Sequence, residues 1–121
     1  MKWCTLAAEQ ENAVAQFNLG AIYTNGQSVP EDYKTAVKWY RLAAEQGDAD
    51  AQYNLGYQYY VGQGVIKDKV HAHMWWSIAS SNGYEGATKN RGVVEKQMTP
   101  SQLEKAQDLA RECVRKNYKG C

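Results

Sequence analysis

The chain repeats itself with a period of 36 residues. Trp3, Trp39 and Trp75 stand 36 apart, as do Asn18, Asn54 and Asn90, and Gly20, Gly56 and Gly92. Setting residues 13–48 on residues 49–84 gives 15 identities in 36 positions. They include Ala15-Gln16, Asn18-Leu19-Gly20, Tyr23, Gly26, Val29, Asp32, Ala36, Trp39, Ala43 and Gly47. Residues 2–12 match residues 38–48 at seven of eleven positions. A period of this length marks a stacked array, in which each unit buries its apolar face only against its neighbours.

Each unit reads as two helices. In the first full unit Ala13, Gln16, Leu19, Gly20 and Tyr23 recur at i, i+3 and i+4, one face of a helix. Gly26 stands where a left-handed C-cap favours glycine, and residues 27–31 read as a loop. Asp32 is placed to cap a second helix whose stripe is Ala36, Trp39, Tyr40 and Ala43, closed by Gly47. The second unit predicts a helix near 49–61, a Gly62-Gln63-Gly64 loop and a helix near 68–82 capped by Asp68. Small residues at Gly20/Gly56, Ala36/Ala72 and Ala43/Ala79 allow close helix approach, and Tyr23/Tyr59 and Trp39/Trp75 fill the space between helices.

The third unit decays. Ala87, Asn90 and Gly92 persist, but Glu95 replaces the repeated tyrosine. Thr99, Pro100 and Gln102 then form a capping-box start. Leu103, Ala106, Leu109, Ala110, Cys113 and Val114 make an amphipathic stripe, as a terminal capping helix requires. The other end begins inside what would be a second helix, Lys2-Trp3-Cys4 matching Lys38-Trp39-Tyr40. That open face is a candidate for self-association.

Composition sets the outer bounds. The 121 residues allow one ordinary domain. Fourteen Lys and Arg against thirteen Asp and Glu give a net charge of +1, against a nucleic-acid or membrane-surface protein driven by bulk charge. No apolar run approaches the roughly 18 residues of a membrane span. The first eight residues lack the apolar core of a signal peptide. Nine Tyr and four Trp stand beside one Phe, rings with polar tips suited to half-buried positions and interfaces.

The run Ala-Gln-Tyr-Asn-Leu-Gly (51–56), Tyr-Tyr-Val-Gly-Gln-Gly-Val (59–65), Asp68, Ala72, Trp75 and Ala79 resembles the Sel1-like repeat, a relative of the tetratricopeptide repeat with a longer loop between its helices. The resemblance covers nearly the whole chain: a partial repeat at 1–12, full repeats at 13–48 and 49–84, and a degenerate repeat with a C-terminal cap at 85–121. It implies a single all-α domain, a right-handed α/α superhelix. It also implies a non-catalytic adaptor that binds a protein or peptide in its concave groove, with no cofactor. Carrying over the tetratricopeptide pattern, the inward positions are Val14, Phe17, Ala21 and Thr24, then Asp50, Tyr53, Tyr57 and Tyr60, then Gly86, Lys89, Val93 and Lys96. Phe17, Tyr53, Tyr57, Tyr60, Lys89 and Lys96 are the candidate ligand contacts. Tyrosines supply contact area at low entropic cost, and the lysines suit a carboxylate. The alternatives are that the tyrosines pack between helices and the lysines form a solvated face. Asn18 and Asn54 either contact a peptide backbone or hydrogen-bond neighbouring helices.

The same resemblance implies a disulfide between Cys113 and Cys121, a pair spaced as in secreted members. It requires the last helix to stop near 116 and Gly120 to turn the chain back. Paired cysteines would favour a periplasmic or secreted location, free thiols a cytoplasmic one. Cys4 aligns with Tyr40 and Trp76 and reads as stack-facing. His71 and His73 point to different helix faces and read as solvated, with no zinc-finger spacing nearby. Some secreted members of the family carry β-lactamase or penicillin-binding labels, but no Ser here has Lys three residues on and no Lys-Thr-Gly exists. An envelope glycan or peptidoglycan-fragment binder is the competing reading, and a structural piece of a longer array is a third.

Overall fold

A computed structural model describes Leu6, Ala8, residues 12–25 and residues 32–121. Among these residues lie six helices and no strand: α1 (Ala13–Asn25), α2 (Tyr33–Glu45), α3 (Ala49–Val61), α4 (Lys69–Ser81), α5 (Glu85–Glu95) and α6 (Pro100–Arg115). The expected Gly26 cap, the 27–31 loop, Trp3, Cys4 and the open N-terminal face lie outside the described residues. Helices α1/α2 and α3/α4 pack as hairpins, α2 packs on α3, and α4 packs on both α5 and α6. The result is an all-α solenoid of helix pairs.

Local chemistry sets the helix ends at repeating positions. The Asp32 and Asp48 side chains accept from the backbone N–H of Thr35 and Ala51, and Asp68 accepts from Val70 and His71. At the other ends Gly47 and Gly83 take left-handed backbone, with φ of 90° and 96°. This lets the Gly47 and Asp48 N–H groups reach back to Ala44 and Ala43, and those of Gly83 and Tyr84 to Ser80 and Ala79. Thr99, Pro100 and Gln102 form the expected capping box.

Asp68 yields a pH prediction. Burial pushes its carboxyl up, but hydrogen bonds from the backbone and side chain of His71, with the Val70 N–H, outweigh this and hold it below its ordinary value. A depressed carboxyl stabilises the fold fully above its unfolded value, about 3.9, and the contribution is lost as pH falls through the lower folded value. Asp68→Ala is therefore expected to cost about 1 kcal/mol at neutral pH. Urea denaturation across pH should show the gap to wild type closing below about pH 4.

The core follows the repeat. Ala36, Ala43, Ala72 and Ala79 are fully buried, so the small residues do sit where helices touch. A Cβ at Gly20 would stand 2.7 Å from the Tyr40 ring, and one at Gly56 2.7 Å from the Trp76 ring. Around Gly92 the space is open for 4 Å, so the third repeat keeps the glycine without the contact. Trp75 is fully buried among Tyr40, Leu55, Met74, Ile78 and Cys113.

Two buried glutamines and their carboxamide partners hold repeat to repeat. Gln16 Nε2 donates to the Ala8 carbonyl at 3.0 Å, and Gln52 Nε2 repeats the bond to Ala44 at 3.1 Å. Each glutamine oxygen then accepts from the end of its own helix pair: Gln16 from Gln46 at 2.8 Å, Gln52 from Asn82 at 2.9 Å. The third repeat places Thr88 at this position, where its hydroxyl meets that of Ser80. Asn90 also bonds a neighbouring helix, donating to the Tyr53 hydroxyl at 2.9 Å, and Asn54 stands near the Tyr40 hydroxyl.

The C-terminus folds back on α6. The helix ends at Arg115, and Asn117, Tyr118 and Gly120 all take positive φ. This brings Cys113 and Cys121 within 5.6 Å between α-carbons, joined as a disulfide. Three left-handed residues make the turn that the sequence had assigned to Gly120 alone.

Candidate functional site

Two clefts open between successive first helices. The first lies between α1 and α3, has a volume of about 240 Å³, and is lined by Ala21, Thr24, Asn25, Tyr40, Asn54, Tyr57, Gln58 and Gln63. The second lies between α3 and α5, has a volume of about 160 Å³, and is lined by Tyr57, Tyr60, Trp76, Asn90 and Val93. Those five residues stand 36 positions beyond Ala21, Thr24, Tyr40, Asn54 and Tyr57. The two clefts are one feature, built twice by the repeat with different side chains.

Their construction explains their shape. Tyr40 and Trp76 come from the second helix of each pair and press against Gly20 and Gly56. The same two side chains, almost fully buried, form part of the cleft linings. Trp76 is fixed by its indole N–H, which donates to the Tyr53 carbonyl at 3.1 Å. Burial raises the Tyr40 hydroxyl above its ordinary value, against hydrogen bonds with Thr24 and Asn54. Tyr57, at 45% exposure, forms a wall of both clefts.

The expected contact residues divide. Tyr57 and Tyr60 line the second cleft. Tyr60 is also anchored: its ring tilts against Trp76 with centroids 5.5 Å apart, and its hydroxyl bonds the Gln97 carboxamide at about 3 Å. Tyr53 stacks on Tyr84 with centroids 4.4 Å apart and accepts from Asn90, so it joins α3 to α5. Phe17 packs on Tyr40, 5.6 Å between centroids. Lys89 and Lys96 are exposed, make no ion pair among the described residues, and line neither cleft.

The histidines correct the sequence reading. His71 is partly exposed and bonds its own cap, Nδ1 to Asp68 at 2.8 Å, with its ring stacked on Tyr59. His73 is not solvated: it is 1% exposed, its Nε2 lies 2.8 Å from the Glu95 carboxylate, and Ser77 Oγ lies 3.4 Å from its Nδ1. It ties α4 to the end of α5. Glu95, which looked like mere decay of the repeated tyrosine, is its partner.

Among the described residues no cluster of His, Cys, Asp or Glu is placed to hold a metal ion, and no helix is long and apolar enough to cross a membrane. A stack of helix pairs with variable clefts between first helices defines a repeat scaffold of the α/α solenoid class. A sequence profile of the Sel1 repeat matches residues 13–48 and 49–84. The chain belongs to the Sel1 repeat family, whose members are generally non-catalytic scaffolds for protein–protein interaction.

Two solved structures are similar. One is a protective antigen present in uropathogenic Escherichia coli strains displaying an SLR fold, with a TM-score of 0.91 and 38% identity. The match covers 97% of this chain and 26% of that one, so the chain spans about a quarter of that protein's length. The other is a Sel1 repeat protein from Oxalobacter formigenes, with a TM-score of 0.74 and 40% identity over 75% of this chain and 68% of that one. No curated protein sequence matches the chain.

Proposed function

We propose that the two clefts form one groove that binds an extended peptide or a partner-protein segment, with no chemistry performed on it. Tyr57 carries this reading. It is a large ring left 45% exposed in a protein that buries most of its aromatic surface, and it stands between two adjacent clefts of the same construction. Clefts repeated along the stack suit separate side chains of one extended segment, and a rigid tyrosine between them costs little entropy to engage. Lys89 and Lys96 leave the α5 side positive, which favours an acidic residue at that end of the segment.

Binding to a displayed peptide library tests this. Tyr57→Ala is expected to weaken the selected peptide at least tenfold, the loss of one aromatic anchor, with circular dichroism unchanged. Peptides that bind equally well to Tyr57→Ala would remove the groove from consideration. The aromatic lining of the second cleft, Tyr57, Tyr60 and Trp76, also suits the face of a sugar ring. Saturable binding of a muropeptide, lost in the same variant while no peptide binds, would favour that second reading.

A further inference from the structure

Resting on the groove reading, we propose that the α1–α3 cleft is a subsite for an uncharged amide, the Gln or Asn side chain or main-chain amide of the bound segment, held by Gln58. The observation is a polar residue that the fold does not explain. Gln58 is 2% exposed, and neither its Nε2 nor its Oε1 has a hydrogen-bond partner among the described residues. Its equivalents 36 residues away are Ile22 and Val94. Val94 is fully buried among Ala72, Trp76, Ala79 and Ala87, and Ile22 packs beside Ala8, Ala15 and Leu19. The position is apolar in the repeats on either side and carries a carboxamide only here, where it lines a cleft. A buried polar group without partners is costly, and natural structures keep few of them.

The chemistry of the cleft selects the ligand class. None of its lining residues carries a formal charge; Thr24, Asn25, Asn54 and Gln63 line it together with Gln58. A carboxamide with both atoms unpaired requires a group that accepts and donates side by side, which another amide does. A carboxylate accepts only: it leaves Oε1 unpaired and brings a charge to a site with no cation. The second cleft, lined by Tyr57, Tyr60 and Trp76 while the equivalent Val94 is buried in the core, is the aromatic counterpart. One segment would thus place an amide in one cleft and an apolar or aromatic residue in the next.

Titration of ¹⁵N-labelled protein with N-acetyl-glutamine amide, N-acetyl-glutamate amide and N-acetylglucosamine tests this, read from side-chain amide resonances. Gln58→Met keeps the side chain's length and restores the apolar character of the position. Saturable shifts are expected for the glutamine compound, at least tenfold weaker for the other two, and abolished in Gln58→Met. The same variant is expected to melt at a higher temperature, because it removes an unpaired polar group. No saturable shift in wild type, an equal response in Gln58→Met, tighter binding of N-acetylglucosamine, or a lower melting temperature would each overturn the proposal. A library peptide that binds Gln58→Met as well as wild type overturns the subsite and leaves the groove standing. Binding of N-acetyl-glutamine amide where no library peptide binds supports the subsite and removes the groove.

Discussion

Trp75→Ala is expected to lower the free energy of unfolding by about 3–5 kcal/mol, the range for truncating a buried aromatic ring. Domains of ordinary size are stable by about 5–15 kcal/mol, so this variant stands near the edge of folding. The size of the effect follows from position. Trp75 is fully buried where α2, α3, α4 and the disulfide-bearing end of α6 converge. The cavity therefore opens at the contact between units, and a stacked array holds together through those contacts. Trp75→Phe sharpens the test. The Trp75 indole N–H has no hydrogen-bond partner among the described residues, and a buried unpaired donor costs about 1–3 kcal/mol. Replacing it with phenylalanine loses volume but sheds that donor. Urea denaturation should therefore place Trp75→Phe much closer to wild type than to Trp75→Ala. Equal losses in the two variants would show that the nitrogen is bonded.

Gly56→Ala is expected to cost about 2–3 kcal/mol, within the range for overpacking. The added Cβ would stand 2.7 Å from Trp76 Cδ1 and Nε1, and the ring has no easy retreat because its N–H is held by the Tyr53 carbonyl. Helix propensity works the other way by about 1 kcal/mol and is outweighed. Gly92→Ala is the control: it shares the repeat position, meets nothing within 4 Å, and is expected to be neutral or stabilising by up to about 1 kcal/mol. Thermal melts of the two variants should move in opposite directions. Parallel shifts would mean that backbone freedom, and not ring contact, governs the position.

The architecture was readable before any coordinates because its cause is repetition. The 36-residue spacing of the Leu-Gly pairs and of Asp32 and Asp68 fixes the order of helices and their caps, and the disulfide followed from the resemblance. What escaped was whatever depends on a partner far along the chain. Gln16 and Gln52 sit on the buried stripe of their helices, yet nothing local says that each bonds a carbonyl eight residues back and an amide thirty residues on. His73 looked solvated because its neighbours within one turn are uninformative; Glu95, 22 residues away, decides its fate. The groove was half legible. Tyr57 and Tyr60 stood out as rings the repeat does not require, and both line a cleft. Tyr53 and Phe17, placed inward by the same counting, spend their surfaces on Tyr84, Asn90 and Tyr40. Gln58 went unnoticed, although comparing it with Ile22 and Val94 is a purely sequence-level observation.

The glutamine links have a consequence for length. Each glutamine donates backward and accepts forward, so every link has a direction and the bonds close only when successive units stay in phase. An inserted copy of residues 49–84 placed after residue 84 brings its own glutamine and its own asparagine donor, and the Ser80 carbonyl stands at the acceptor position. An insertion that changes the eight-residue or thirty-residue spacing breaks the link it interrupts and strands the glutamine there. Growth by whole units thus keeps every such bond. At Thr88 the amide is gone and a hydroxyl pair takes its place, which marks where the counting ends.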